Sequence, residues 1–342
     1  MKKMLIKTLA VLMSALMLTA CAGQGSAGAE SSSGKISIVT TIFPEYDWVM
    51  QILGDKAADA EVTMLLDNGV DLHSYQPTAN DILKISNCDL FIYVGGESDG
   101  WVEDALAEAV NKDMVVINLL DVLGDSVKEE EIVEGMQAEE EHHHDEDEDH
   151  DEDHEDHEDE EEEVEYDEHV WLSLRNAAIL CDAITEGLSS VDSDNAVVYQ
   201  ANNDAYKAQL SALDAQYKEA VEGAAFDTIL FGDRFPFRYL TDDYNLNYYA
   251  AFVGCSAESE ASFETIIFLA GKTDELGLKS ILTIENNDQK IAQTIRDNTA
   301  DKNQEIYALD SMQAVTSDDV KNGVTYLSIM TDNLEVLKKA LN

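Results

Sequence analysis

The chain is expected to be an α/β protein of two lobes, each a four-stranded, mostly parallel sheet flanked by helices, with one long helix joining them. Three observations lead there. Short β-branched runs alternate with helix-length amphipathic segments, the rhythm of parallel sheets covered on both faces. That rhythm occurs twice, up to Asn118 and again after residue 225, with four strands each time. Between the two sets lies Asp192–Gly223, a helical stretch with no interior glycine or proline.

At the start, Lys2, Lys3 and Lys7 flank an apolar run from Thr8 to Ala20. A basic beginning, a core too short to span a bilayer and small residues at its end describe a signal peptide over residues 1–20. Leu18-Thr19-Ala20-Cys21 resembles the bacterial lipobox, which implies lipidation of Cys21 as the mature N-terminus. The Gly/Ser/Ala-rich stretch 21–34 then acts as a flexible tether. The mature protein is expected outside the cytoplasm, anchored to the bacterial cell membrane by this lipid, as a monomer.

The first lobe, 35–190, takes strands from Ile36–Thr41, Glu61–Leu65, Leu90–Val94 and Val115–Asn118. Helices are expected near Tyr46–Leu53, Ala79–Ser86 and Trp101–Val110, and another begins near Leu174. The linking helix, 191–223, has an N-cap at Asp192 or Ser193 and closes at Gly223. Its apolar positions are Val197, Val198, Ala201, Ala205, Ala208, Leu213, Ala220 and Val221. At 1.5 Å per residue it would run roughly 45 Å, which suits a strut between lobes. The second lobe, 224–342, takes strands near Thr228–Phe231, Asn247–Phe252, Ser280–Ile284 and Glu305–Leu309. Its helices fall near Phe263–Leu276, Gln289–Asn298 and Gly323–Leu341.

The formal charge of −50 argues against nucleic acid, which needs clustered Lys/Arg, and against anionic lipid headgroups. Residues 129–168 hold 26 Asp/Glu and no Lys or Arg, and are expected to form a solvated, disordered loop. Six of the eight histidines sit there: His142, His143, His144, His150, His154 and His157. Imidazoles among carboxylates make many weak sites for divalent metals, so the loop reads as an auxiliary metal collector. Cys88, Cys181 and Cys255 show no C-x-x-C spacing and read as buried free thiols.

Outside the acidic loop only His73 and His169 remain. His73 lies in the loop after the second strand, Asp233 directly after the fifth and Glu285 directly after the seventh, while His169 leaves the acidic loop. Ligands of parallel sheets collect at the carboxyl edges of strands, so these four residues are expected to converge on a cleft between the lobes. Two imidazoles and two carboxylates form a competent site for zinc, manganese or ferrous iron. Binding is then expected to weaken as pH falls through the imidazole range. A secreted metallohydrolase and an adhesin with a structural metal stay open at this level. Against the hydrolase, the chain has no H-E-x-x-H, G-x-S-x-G or G-x-x-x-x-G-K-S/T.

Asp71-Leu72-His73-Ser74-Tyr75-Gln76-Pro77-Thr78 resembles the D-P-H-x-Y-x-P-T/S segment of the metal-binding substrate-binding lipoproteins of ABC transporters, the zinc and manganese cluster A-I. Asp167-Glu168-His169-Val170-Trp171-Leu172-Ser173 is similar to the D-P-H-x-W-L-S/D motif of the same family. The acidic insertion before it resembles that of the zinc-specific members. Thr41-Ile42-Phe43-Pro44, Glu260-Ala261-Ser262 and Ile284-Glu285 also fall in family order. The resemblance implies two lobes about one long helix, metal held between them, and delivery of that metal to an ABC permease. It carries His73, His169 and Glu285 over as ligands. Gly232 stands where zinc members have a third histidine, and Asp233 is offset from it by one residue. Zn²⁺ is the expected metal from the His-rich loop, with Mn²⁺ or Fe²⁺ the alternative for a two-His, two-carboxylate shell.

Overall fold

β1 (Ile36–Thr40), β2 (Ala60–Met64), β3 (Leu90–Tyr93) and β4 (Val115–Asn118) form a parallel sheet in the order β2-β1-β3-β4. Ile38, Val39, Phe91 and Ile92 are buried, as continuous apolar strands covered on both faces should be. The computed structural model describes residues 34–137, 165–256 and 260–342. The signal peptide, Cys21 and the histidines His142, His143, His144, His150, His154 and His157 lie outside the described residues.

Helix α1 (Phe43–Leu53) starts three residues earlier than expected. Pro44 sits in its first turn, and Glu45 Oε2 turns back to accept from the amides of Thr41 (2.8 Å) and Ile42 (3.3 Å), satisfying donors a helix start leaves free. α2 (Ala79–Asn87) carries a reciprocal box between Thr78 and Asp81. α3 covers only Val102–Ala107, because Ser86 O accepts from both Val110 N and Asn111 N and draws the chain off the helical path before Val110. A short α4 (Leu119–Leu123), not expected from the sequence, follows β4. α5 (Leu174–Val191) is capped by Ser173 Oγ, which accepts from Asn176 N at 3.0 Å.

α6 (Ala196–Glu222) has 27 residues, about 40 Å of helix. Gly223 closes the helix as expected, but neither expected N-cap, Asp192 or Ser193, acts. Asp192 ends α5 instead, and its side chain accepts from Asn195 Nδ2 and Tyr199 Oη. The buried stripe is also different: Tyr199, Asn203, Tyr206, Leu210, Leu213 and Tyr217 face inward, while Val197 is 84% exposed. Alternating steps of four and three residues keep this stripe on one face. α6 packs on α1 and α5 from the first half of the chain.

The second sheet repeats the first in its permutation. β5 (Thr228–Phe235), β6 (Asn247–Val253), β7 (Ser280–Ile284) and β8 (Glu305–Leu309) run parallel in the order β6-β5-β7-β8. Its helices are α7 (Arg238–Tyr244), α8 (Phe263–Leu276), α9 (Lys290–Asn298), α10 (Ser317–Lys321) and α11 (Tyr326–Ala340). β5 is four residues longer than expected and encloses Asp233, with the register shifting between Phe231 and Arg234. Asp233 thus lies on a bulged strand, not in the loop after one.

One large core runs through both sheets, and a smaller cluster sits under α8 and α9. α11 also packs on α6, and it reaches the first half of the chain: Tyr326 meets Trp48 edge to face at 5.3 Å, and its amide donates to Asp47 Oδ2 at 3.1 Å. Both sheets belong to a single compact unit, Ile36–Asn342.

Candidate metal centre

The two D-x-H segments use the same local device. Asp71 Oδ1 accepts from His73 N at 3.0 Å at the start of the single turn Leu72–Ser74. Asp167 Oδ1 accepts from His169 N at 2.9 Å just before the turn Val170–Leu172. Leu72 and Trp171 are buried and fix the turns in the core. Trp171 Nε1 donates to Ser311 O at 2.9 Å, and Tyr326 Oη donates to Trp171 O at 2.7 Å.

This brings the imidazoles together. His73 Nε2 and His169 Nε2 are 3.2 Å apart, with ring centroids at 5.1 Å. Each ring turns its other nitrogen to an oxygen. His169 Nδ1 lies 3.0 Å from Asp167 Oδ1, and His73 Nδ1 lies 2.8 Å from Ser98 Oγ and 3.5 Å from Glu168 Oε2. The Asp167 carboxylate beside His169 Nδ1 holds the proton there and leaves that Nε2 its lone pair, while His73 Nδ1 pairs with the Ser98 hydroxyl. Both Nε2 atoms therefore face one spot.

Burial, then the neighbouring His169, pushes the His73 pKa down to about 3. The metal-free ring therefore resists protonation. Burial also disfavours ionisation of Asp71, but the Arg234 guanidinium and His73 outweigh it and hold that carboxyl below its ordinary range. Arg234 comes from β5 and forms an ion pair with Asp71, so it ties the His73 loop to the second sheet. Burial holds the Glu168 carboxyl above its ordinary range, and Oε2 has no hydrogen-bond partner.

Among the described residues, the group able to hold a metal ion is His73, His169 and Cys255, whose donor atoms lie within 4.8 Å of one another. Cys255 follows β6, and its amide donates to Glu130 Oε1 at 3.1 Å. Gly254 makes the approach possible, since a Cβ there would stand 3.0 Å from His169 Cε1 and 2.9 Å from Phe235 O. Burial, then Glu130, Asp167 and Glu168, pushes the Cys255 thiol far up, so it is protonated without metal. A cavity of about 250 Å³ opens onto His73 and Cys255, walled by Glu97, Glu130, Glu165 and Glu168.

Asp233 and Glu285 are not in this group. Asp233 accepts from Arg234 N at 2.9 Å and from Ile284 N at 3.0 Å, cross-linking β5 to β7. Glu285 accepts from Ser311 N (2.7 Å), Ser311 Oγ (2.8 Å) and Gln313 N (3.2 Å). Both carboxylates face a separate cavity of about 930 Å³, and backbone amides occupy the oxygens expected to bind metal. Glu285 is linked to the centre through Gln313, whose Nε2 lies 3.4 Å from His169 Nε2. The sequence reading passed over Cys255. Its position after a strand, at the edge where His73 also sits, was the available signal.

A model of the family described as ZnuA, zinc-uptake complex component A, periplasmic, matches residues 38–340. The zinc-binding lipoprotein AdcA of Streptococcus pneumoniae serotype 4 is 31% identical over 99% of this chain, which spans only 61% of that protein's length. The high-affinity zinc uptake system protein ZnuA of Bacillus subtilis strain 168 is 30% identical over 95% of this chain and 94% of its own. The Zn(II)-bound ZnuA-like domain of Streptococcus pneumoniae AdcA superposes with a TM-score of 0.66 at 27% identity, over 90% of this chain and 99% of that domain. With its match extending from the second half of β1 to the end of α11, the chain belongs to the ZnuA family.

Proposed function

We propose that the protein captures a divalent transition metal, zinc foremost, outside the cytoplasm and delivers it to an ABC permease for uptake. It acts as a monomer held to the bacterial membrane by a lipid on Cys21. His73 and His169 are the imidazole ligands, and the segment with His142, His143, His144, His150, His154 and His157 collects metal nearby. Glu285 and Asp233 shape the surrounding loops.

One observation carries the reading: two Nε2 atoms 3.2 Å apart, each with Nδ1 engaged elsewhere. Two nitrogens about 2.05 Å from a tetrahedral zinc stand about 3.3 Å apart, so the pair needs almost no movement. The names of the zinc-binding relatives support the choice of metal. The purified protein should carry one tightly held zinc, and disruption of its gene should lower zinc accumulation. Tight binding of manganese in preference to zinc would overturn the choice of metal. Hydrolytic turnover with unchanged zinc uptake would overturn transport.

A further inference from the structure

The resemblance expects a third histidine at the position of Gly232, and the structure closes that place. A Cβ on Gly232 would lie 2.6 Å from Ala292 Cα and 2.8 Å from both Ala292 N and Cβ. α9 packs straight onto the strand backbone at that point, so no side chain fits. The two carboxylates that could compensate are held by amides of β7 and of the Ser311–Gln313 loop. The donor that does reach the imidazole pair is sulfur.

We propose that Cys255 Sγ is the third protein ligand of the transported metal, completing a His₂Cys centre in place of a third imidazole. The inference rests on the metal-capture reading above and specifies its donor set. Sγ already lies within 4.8 Å of one ring nitrogen of each histidine, and a tetrahedral zinc with bonds of about 2.3 Å to sulfur and 2.05 Å to nitrogen separates such a pair by about 3.6 Å. A contraction of about 1.2 Å at most, on the loop after β6, closes the difference. On binding, the S–H bond breaks, its proton leaves to water through the adjoining cavity, and the sulfur lone pair bonds to the metal. The carboxyl Oε2 of Glu168, buried without a hydrogen-bond partner beside His73 Nδ1, marks the centre as arranged around a cation. A thiolate beside two imidazoles suits zinc and disfavours manganese, which prefers oxygen.

The test is Co²⁺ substitution at one equivalent, with Zn²⁺ affinity measured by chelator competition in parallel. The wild type should show a thiolate-to-cobalt charge-transfer band in the near ultraviolet. Histidines outside the described residues contribute no sulfur and cannot produce it. Cys255→Ser should lose the band and weaken zinc binding by roughly 100-fold or more, and Cys255→His should recover affinity without the band. Agreement of the metal-free melting temperatures would exclude misfolding, and Cys255→His supplies a second variant should the serine form be unstable. Tight zinc binding with no charge-transfer band, and unchanged affinity in Cys255→Ser, would overturn the sulfur ligand while leaving metal capture intact. Absence of any tight site in the wild type would overturn both.

Discussion

The Nε2 atoms of His73 and His169 face each other at 3.2 Å although the residues are 96 positions apart in the chain. No hydrogen bond between them satisfies both lone pairs once each Nδ1 carries its proton. Zinc at about 1,000 times its Kd should stabilise the fold by about 4 kcal/mol, a rise in melting temperature of roughly 7 °C. His73→Ala should abolish most of that rise and leave the metal-free melting temperature nearly unchanged. Thermal melts with and without zinc read the difference.

Asp167 acts through His169. It accepts from both the amide and Nδ1 of that residue, fixing the ring and its tautomer. Asp167→Asn should weaken zinc binding by about 10- to 100-fold with the stoichiometry unchanged. Chelator competition measures this directly.

Gly232→His places an imidazole where the family resemblance expects one, yet it should not create a ligand. Its Cβ would collide with Ala292, a fully buried residue of α9. The expected result is a loss of about 3 kcal/mol in stability and no gain in zinc affinity. Denaturant unfolding and a zinc titration of the same variant check both halves.

Asp99 and Asp310 give the metal-free protein a pH dependence. Burial pushes each carboxyl up to about 7, opposed at Asp99 by the Gly95 amide and reinforced at Asp310 by the charge of Glu285. Between about 4, where they titrate unfolded, and about 7 the folded protein holds the extra protons. Their contribution is complete below about 4 and is lost as pH rises through 7, so stability falls in that direction. Chelated protein should melt higher at pH 5 than at pH 8, and Asp99→Asn should flatten the slope.

Deleting residues 138–164 should leave the tight site intact and remove the weaker ones. The flanking chain keeps its own ties, with Glu130 N donating to Glu165 O at 2.9 Å and Asp167 N to Lys128 O at 2.9 Å. Calorimetric titration of the shortened protein should give one binding phase in place of several.

The strand rhythm was legible because apolar β-branched runs buried on both faces leave little else for those residues to do. The two histidines were legible by scarcity and by their matching D-x-H contexts. The buried face of α6 was not, because it is built mainly from Tyr199, Tyr206 and Tyr217, whose rings bury while the hydroxyls of Tyr199 and Tyr217 donate to Asp192 Oδ2 and Met330 O at 2.6 Å each. Asp233 was misplaced because the bulge that extends β5 past Phe231 depends on pairing with β6, which local sequence does not encode. Glu285 lies directly after its strand, as expected, but the sequence could not say that the Ser311–Gln313 amides would claim its oxygens. A cysteine without C-x-x-C spacing offered only its place after a strand as a cue, and did not show that two distant turns would bring rings against it beside Gly254.

The central claim is that one inter-sheet centre, built on His73 and His169, holds the metal. Chelator-competition titration with Zn²⁺ on wild-type protein and on the His73→Ala/His169→Ala double variant, both lacking residues 138–164, tests it most directly. The expected result is one tight site in the first and none in the second; a tight site of unchanged affinity in the double variant would contradict it.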